Sequence, residues 1–461
     1  METIGISRPP DELIAALPPG TVLTDPDVLA SYRQDWARDP DAGTPLAVVR
    51  ANSTADVQAV LRWASAHGVP VVPRGAGSSL SGGSTAVDGG VTLSMERMRS
   101  VEIDPVTRVA VAQPGAFNAS VKAAAAAHGL WYPPDPSSFE ICSIGGNAAT
   151  NAGGLCCVKY GVTTDYVLGM QVVLADGTAL RLGGPRLKDV AGLSLLKLFV
   201  GSEGTPGVIT ELTLRLLPAP PPACTLVATF ATVEAAADAV VAITARLRPA
   251  MLELMDNGSI NAVEDMVRMG LDRTVGALLI ARSDAPGAAA SAEVDVMREA
   301  CETNRAAEVF TTADADEGEA FCAARRAAFP AMERVGTLLL EDVGVPVPKL
   351  PELVHGIRSI AESHETHIVV VAHAGDGNTH PIIAYPPGDL DAEKRARVAF
   401  GAVMDLAISL GGTITGEHGV GRLKAPWLPD QLGPDVMALT RRIKNALDPD
   451  GILNPGVVLG K

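Results

Sequence analysis

The chain has 461 residues, enough for two or three domains and a substantial buried core. Its 37 Lys+Arg against 53 Asp+Glu leave a formal charge of −16, whose long-range repulsion argues against nucleic acid or an anionic membrane as the main partner. With 47% hydrophobic and 20% charged residues it has the composition of a globular protein, not a disordered one.

The opening stretch METIGISRPPDELIAALPPG lacks the basic-then-apolar pattern of a signal peptide. No run of about 18 apolar residues suggests a membrane span. After a leader to about Gly43, LAVVR reads as a strand, Ser53-Thr54 as a helix cap followed by Val57, Val60, Leu61 and Ala64 at helical spacing, and VPVVP beyond Gly68 as a second strand. That strand empties into RGAGSSLSGG (Arg74 to Gly83), where the glycines let backbone N–H groups converge on an anion. A phosphate cradle is the functional reading and a flexible surface turn the competing one.

From Val91 to Leu217 the pattern is short strands and turns, with an Ala-rich helix ending near His128-Gly129 and a hairpin at Asp176-Gly177. PAPPPA (Pro218 to Ala223) is the most Pro-dense stretch and marks a boundary, giving a first domain 1–218 and a second 219–461. Beyond it two β-α-β units follow, TLVATF to AMLELMD and GALLIARSD to AAEVFTT, which predict a ferredoxin-like α+β sheet with helices on one face over about 219–435. A helix from about Val436 and a short tail complete the chain over 436–461.

Dinucleotide binding of the G-x-G-x-x-G kind fails at Leu80, and no P-loop pattern occurs. Two more glycine clusters, CSIGGNAATNAGG and GSEGTPGVIT, lie in the same half and supply amides and hydroxyls beside bare backbone. Several loops then serve one extended polar ligand. These segments, with PPDPSS, KYGVT, HAGDGNTH, GEHGVG and ILNPG, resemble the FAD-linked oxidases of the vanillyl-alcohol oxidase and p-cresol methylhydroxylase type, in particular the group of D-lactate dehydrogenase, glycolate oxidase and D-2-hydroxyglutarate dehydrogenase. The resemblance implies an α+β fold with an FAD-binding domain of the p-cresol methylhydroxylase type, a cap domain, and a C-terminal segment returning to the FAD domain. It assigns FAD, bound non-covalently, to Arg74, Gly75, Ala76, Gly77, Ser78, Ser79 and Gly82, to Pro134, Asp135, Ser143, Gly146, Asn147 and Gly153, to Glu203, Gly207 and Ile209, and to Asn454.

His373 and His380 flank AGDGNT, a spacing wrong for one helix face but suited to a strand and turn. With Glu417 of GEHG they make two imidazoles and a carboxylate, a set that suits zinc, with manganese or iron as alternatives. Each histidine alone would read as an ordinary turn or core residue. His67, His128, His355, His364 and His367 fall in helix or helix-end contexts. The resemblance points to the same three ligands and makes adjacent His418 the base. Arg325 in CAARRAAFPA is the candidate carboxylate anchor, against a solvated helix arginine. Apolar Leu338 to Leu340 favour lactate, glycolate or a larger apolar 2-hydroxy acid over a second substrate carboxylate. Lys424 reads either as a flavin neighbour or as a surface cation.

These parts predict flavin-dependent oxidation of a small 2-hydroxy acid of the D-lactate or glycolate type to the 2-oxo acid. The alternatives are a D-2-hydroxyglutarate or D-mandelate-type dehydrogenase and a flavin-free metal-dependent hydrolase. The electron acceptor is a quinone, a cytochrome, an electron-transfer flavoprotein or a partner subunit, and a homodimer is compatible. Six cysteines without a C-x-x-C pair fit a reducing, cytoplasmic compartment, with peripheral membrane attachment left open.

Overall fold

Ser53 starts the first long helix as its hydroxyl chemistry requires. In the computed structural model, which describes residues 11–37 and 39–460, its side chain accepts the Asp56 N–H, and helix Thr54–His67 ends on Gly68 at φ 65°. The first ten residues of the leader lie outside the described residues; within the rest of it Leu13 and Leu17 join the core. Strands Ala47–Arg50 and Val71–Arg74 both run parallel to Val91–Ser94, so the second of them delivers the chain straight into the glycine loop.

A five-stranded antiparallel sheet follows, in the order Val101–Asp104, Val109–Ala112, Val208–Arg215, Val167–Val173, Ala179–Gly183. The expected hairpin is there: Val173 pairs with Ala179, and Gly177 turns at φ 81°. Helices Asn118–Ala126 and Ile144–Thr150 pack on this sheet through Val121, Ala125, Ile144 and Ala148.

The cap begins with strands Cys224–Phe230, Met251–Asp256, Ala277–Ser283 and Ala306–Thr312 in the spatial order fourth, first, third, second, which is the ferredoxin-like arrangement. The sheet does not stop there. Met251–Asp256 pairs onward with His367–His373, then come Asn378–Tyr385 and Thr337–Leu340, with Val343–Gly344 beside them, making eight strands. Nor are the helices confined to one face. Leu226, Ala228, Leu252 and Leu254 share a core with helices Val233–Thr244 and Ala288–Thr303, while Val227, Met251, Met255 and Val371 pack with helices Asn257–Val267, Ala315–Arg326 and Ala328–Glu333. Strands apolar on both faces need cover on both. His367, expected at a helix end, opens a strand instead.

The C-terminal helix starts earlier than expected, at Leu428, and is broken at Gly433 (φ 79°) before Pro434 restarts it toward Leu447. The tail then returns to the first sheet: Val71 donates to Ile452 O and Asn454 donates to Val71 O, both at 2.8 Å, and Ile452 and Leu453 enter that sheet's core. Among the described residues no helix is long and apolar enough to cross a membrane.

Candidate active site

Where strand Val71–Arg74 ends, the chain turns through Gly75 because nothing larger fits. A Cβ at that position would lie 2.2 Å from Ser143 Oγ, and one at Gly77 would lie 2.1 Å from the Arg74 guanidinium. Ser143 caps helix Ile144–Thr150 and accepts the N–H groups of both Gly146 (3.3 Å) and Ala76 (3.2 Å), fastening the first glycine loop to the second. Between these loops and the third lies a cleft of about 1050 Å³, counting space open to solvent. Arg74, Gly75, Ala76, Gly77, Ser78, Ser79, Ser143, Gly146, Asn147, Glu203, Gly207 and Ile209 line it. Asn147 Nδ2 and Ser84 Oγ, buried in its lining without partners, are polar atoms left for a polar occupant, and the cleft fits FAD on that observation.

Five expected cofactor residues do not line the cleft. Gly82 turns the loop at φ 78°; the Pro134 carbonyl accepts the Asn118 amide; Asp135 accepts the Cys156 N–H at 3.1 Å. Gly153 packs beneath Glu417, where a Cβ would meet Oε2 at 3.0 Å. The Asn454 amide donates to Gly83 O and Glu203 O at 2.9 and 2.6 Å, tying two loops together. Glu203 lines the cleft, but its carboxylate is engaged by the N–H groups of Val420 and Gly421, while burial pushes its pKa up to about 7.

The two histidines meet on a hairpin. His380 pairs opposite Val371 and His373 opposite Asn378, so both imidazoles fall on one face of the cap sheet. Glu417 arrives on a loop held by the Asp342 carboxylate, which accepts from the Thr415 hydroxyl and the N–H groups of Gly416, Glu417 and His418 at 2.7–3.1 Å. Glu417 Oε1 consequently lies 3.1 Å from His373 Nε2 and 3.2 Å from His380 Nε2, and the three donor atoms all sit within 4.8 Å of one another. Glu417 Oε2 and His380 Nδ1 are buried without hydrogen-bond partners. Burial opposes the charged form of His373, yet Glu253 and Glu417 hold its pKa well above the ordinary imidazole value. A converging, electron-rich donor set with excess negative charge fits a divalent cation.

His418 Nε2 lies 3.6 Å from Glu417 Oε1, and its ring borders both the cleft and a second chamber on the cap side. Burial draws its pKa below the ordinary value against the pull of Asp342 and Glu417, which favours the neutral, proton-accepting ring. Arg325, in the last turn of helix Ala315–Arg326, is buried, with Nε 2.9 Å from Glu253 Oε2 and Nη2 buried without a partner. Its neighbour Arg326 is half-buried and reaches Glu319. His380, Glu417, His418 and Arg325 thus line one chamber.

Two residues of this site, Glu253 and Asp342, escape a reading of the sequence. Glu253, fully buried, touches both His373 Nδ1 (2.9 Å) and Arg325; its only signal is a lone charge between Met251 and Met255 on one strand face. Asp342 supports the GEHG loop from a distant strand end. Lys424 is no surface cation but buried, donating to Asp342 O and Ile414 O and lying 3.3 Å from Glu341.

A cleft lined by three glycine loops, bordered by Glu417 and His418, is an arrangement that fits a flavin-dependent oxidoreductase. The family model for an FAD binding domain matches residues 45–183 and that for FAD linked oxidases, C-terminal domain, matches 219–458, so the chain belongs to the FAD-linked oxidases. It is 40% identical over 420 residues to glycolate oxidase subunit GlcD of Bacillus subtilis (strain 168), covering 90% of this chain and 89% of the relative. To a D-lactate dehydrogenase of Archaeoglobus fulgidus it is 34% identical, covering 92% and 93%. Among solved structures, p-cresol methylhydroxylase with substrate bound superposes with a TM-score of 0.84 at 18% identity over 98% of this chain and 96% of that one, which speaks for the fold.

Proposed function

We propose that this protein oxidises a small 2-hydroxy acid, of the D-lactate or glycolate type, to the 2-oxo acid. The observation that carries the reading is convergence: His418 and Glu417 line both the FAD cleft and the chamber into which Arg325 and His380 also face. Arg325 binds the substrate carboxylate through its unpaired Nη2. His418 Nε2 accepts the hydroxyl proton. FAD, when bound, supplies the acceptor for the hydride from the hydroxyl-bearing carbon. His373, His380 and Glu417 would hold a divalent cation, zinc first and manganese or iron next, which supplies Lewis acidity toward the substrate oxygens. The names glycolate oxidase subunit and D-lactate dehydrogenase among its relatives support this substrate class. A relative that is itself a subunit also favours a partner chain among the electron acceptors. The FAD-binding domain leaves the flavin-free hydrolase without support. Six free cysteines are consistent with a reducing, cytoplasmic location.

The test is anaerobic mixing of holoenzyme with D- and L-2-hydroxy acids while following oxidised flavin absorbance, with and without chelator. A D-acid is expected to bleach the flavin, and chelation to slow bleaching at least a hundredfold. His418→Ala is expected to keep FAD and metal while slowing bleaching roughly 10²–10⁴-fold, the usual range for losing a general base. Unchanged bleaching in that variant removes His418 as the base; no bleaching by any acid removes the reading.

A further inference from the structure

The chamber in front of Arg325 is larger and more apolar than glycolate requires. It spans about 1560 Å³, counting space open to solvent, and shares only Ser78, Ser138, Glu417 and His418 with the flavin cleft, so most of its lining belongs to it alone. Away from its polar end the walls include Leu80, Phe139, Phe329, Leu340 and Ile382. Trp36 stacks on Phe329, the rings 5.6 Å apart and 12° from parallel, carrying the apolar wall across from the cap to the leader.

Acids outnumber arginines in the chamber lining. Two arginines line it, and they differ in their outer nitrogens. Arg325 keeps Nη2 buried without a partner while Nε contacts Glu253. Arg326 instead directs Nη1 to Glu319 at 2.6 Å and Nη2 toward Asp135 at 4.0 Å, lies over the Phe139 ring at 5.6 Å, and leaves only its inner Nε unpaired. With Glu417, the acids Glu140, Glu319 and Glu333 complete the charged lining, so a second substrate carboxylate would meet acids and an already paired cation. For an acid held by its carboxylate at Arg325 and by its hydroxyl at His418, the apolar wall is the surface that favours an uncharged side chain.

Resting on the 2-hydroxy acid reading above, we infer that the preferred substrates are monocarboxylic 2-hydroxy acids with a bulky branched or aromatic side chain, selected by Leu80, Phe139, Phe329, Leu340 and Ile382 over glycolate and over dicarboxylates. Each methylene that the wall removes from water is worth about fourfold in binding, so a side chain of several carbons separates clearly from none.

Stopped-flow reduction of the FAD- and metal-loaded protein by both enantiomers of phenyllactate, 2-hydroxyisocaproate, lactate and malate, and by glycolate, tests this. The second-order rate constant for flavin reduction is expected to be at least thirtyfold higher with the better enantiomer of phenyllactate or 2-hydroxyisocaproate than with glycolate, and lowest with malate. Glycolate or malate matching the bulky acids overturns the inference while leaving 2-hydroxy acid oxidation in place. Failure of every acid to reduce the flavin overturns the underlying reading, and this one with it. Leu340→Asn and Phe329→Ala, each checked for retained FAD, should lower the phenyllactate-to-glycolate ratio at least fivefold; a ratio unchanged in both refutes the assigned wall. The substrate series on the unaltered protein decides even where a variant does not fold.

Discussion

Glu253 places one negative charge between two groups that need it. A carboxylate only accepts, so the His373 nitrogen 2.9 Å away carries the proton, which leaves Nε2 to face Glu417 and the donor cluster. The same carboxylate holds Arg325 Nε at 2.9 Å, and the two side chains are almost wholly buried, Arg325 at 4% and Glu253 at 0% exposure. Glu253→Gln keeps the shape and removes the charge. Loss of an outer-shell partner of this kind weakens metal affinity about 10–100-fold, and an arginine left buried without its counter-ion costs about 3–5 kcal/mol. Chelator competition and thermal unfolding on the same variant are expected to show both losses. A stability loss with undiminished metal affinity would mean that Glu253 serves Arg325 alone. Local sequence gives little warning of this residue, because MLELMD is an ordinary strand until its partners, His373 and Arg325, are brought to it from far along the chain. His373 and His380 were legible for the opposite reason: their spacing is closed by a four-residue turn, and short-range geometry shows in sequence.

Elements whose ends carry their own chemistry were equally legible. The Ser53 cap, the Gly68 terminus and the Asp176-Gly177 hairpin all form where their residue types require. The second layer of cap helices was not, since Asn257–Val267 and Ala328–Glu333 are dictated by the far face of a sheet whose strand order is non-local. The first glycine loop lies between these cases: its composition announces a close approach, but the partner, Ser143, is supplied by another element. Gly75→Ala would drive a methyl to 2.2 Å from Ser143 Oγ, so either the loop moves or the serine gives up its cap of Ile144–Thr150. A lost cap costs about 1–2 kcal/mol, which corresponds to roughly five- to thirtyfold in affinity for a ligand that needs the loop in place. FAD titration of apoprotein is expected to show that weakening, with little change in secondary structure by circular dichroism. If Gly75→Ala binds FAD as tightly as the unaltered chain, the contact with Ser143 does not shape the cleft.

Across the whole molecule, the chain's end closes what its beginning opens. Asn454 donates its amide to Gly83 O at 2.9 Å and to Glu203 O at 2.6 Å, and its backbone N–H to Val71 O, so one residue joins the first loop, the third loop and the first sheet. Glu203 in turn engages Val420 and Gly421, just beyond His418, so the tie runs from the FAD cleft into the loop that carries the proposed base. The resemblance identified Asn454 as a flavin neighbour; the structure gives it this structural task, which no local pattern in LNPG encodes because both acceptors lie in the other half of the chain. Two substitutions separate its contributions. Asn454 has φ 42°, in the left-handed region that glycine tolerates and alanine resists. Asn454→Gly therefore removes the amide without adding backbone strain, leaving two carbonyls without their donor at a cost of about 1–3 kcal/mol each if water does not reach them. Asn454→Ala adds backbone strain of about 1–2 kcal/mol. Denaturant unfolding should thus rank the native chain above Asn454→Gly and that above Asn454→Ala, with FAD released earlier in both variants. Equal stability of the glycine variant and the native chain would show that the amide bonds contribute nothing to joining the loops. Loss of stability without earlier FAD release would show that the tail stabilises the sheet but does not shape the cleft.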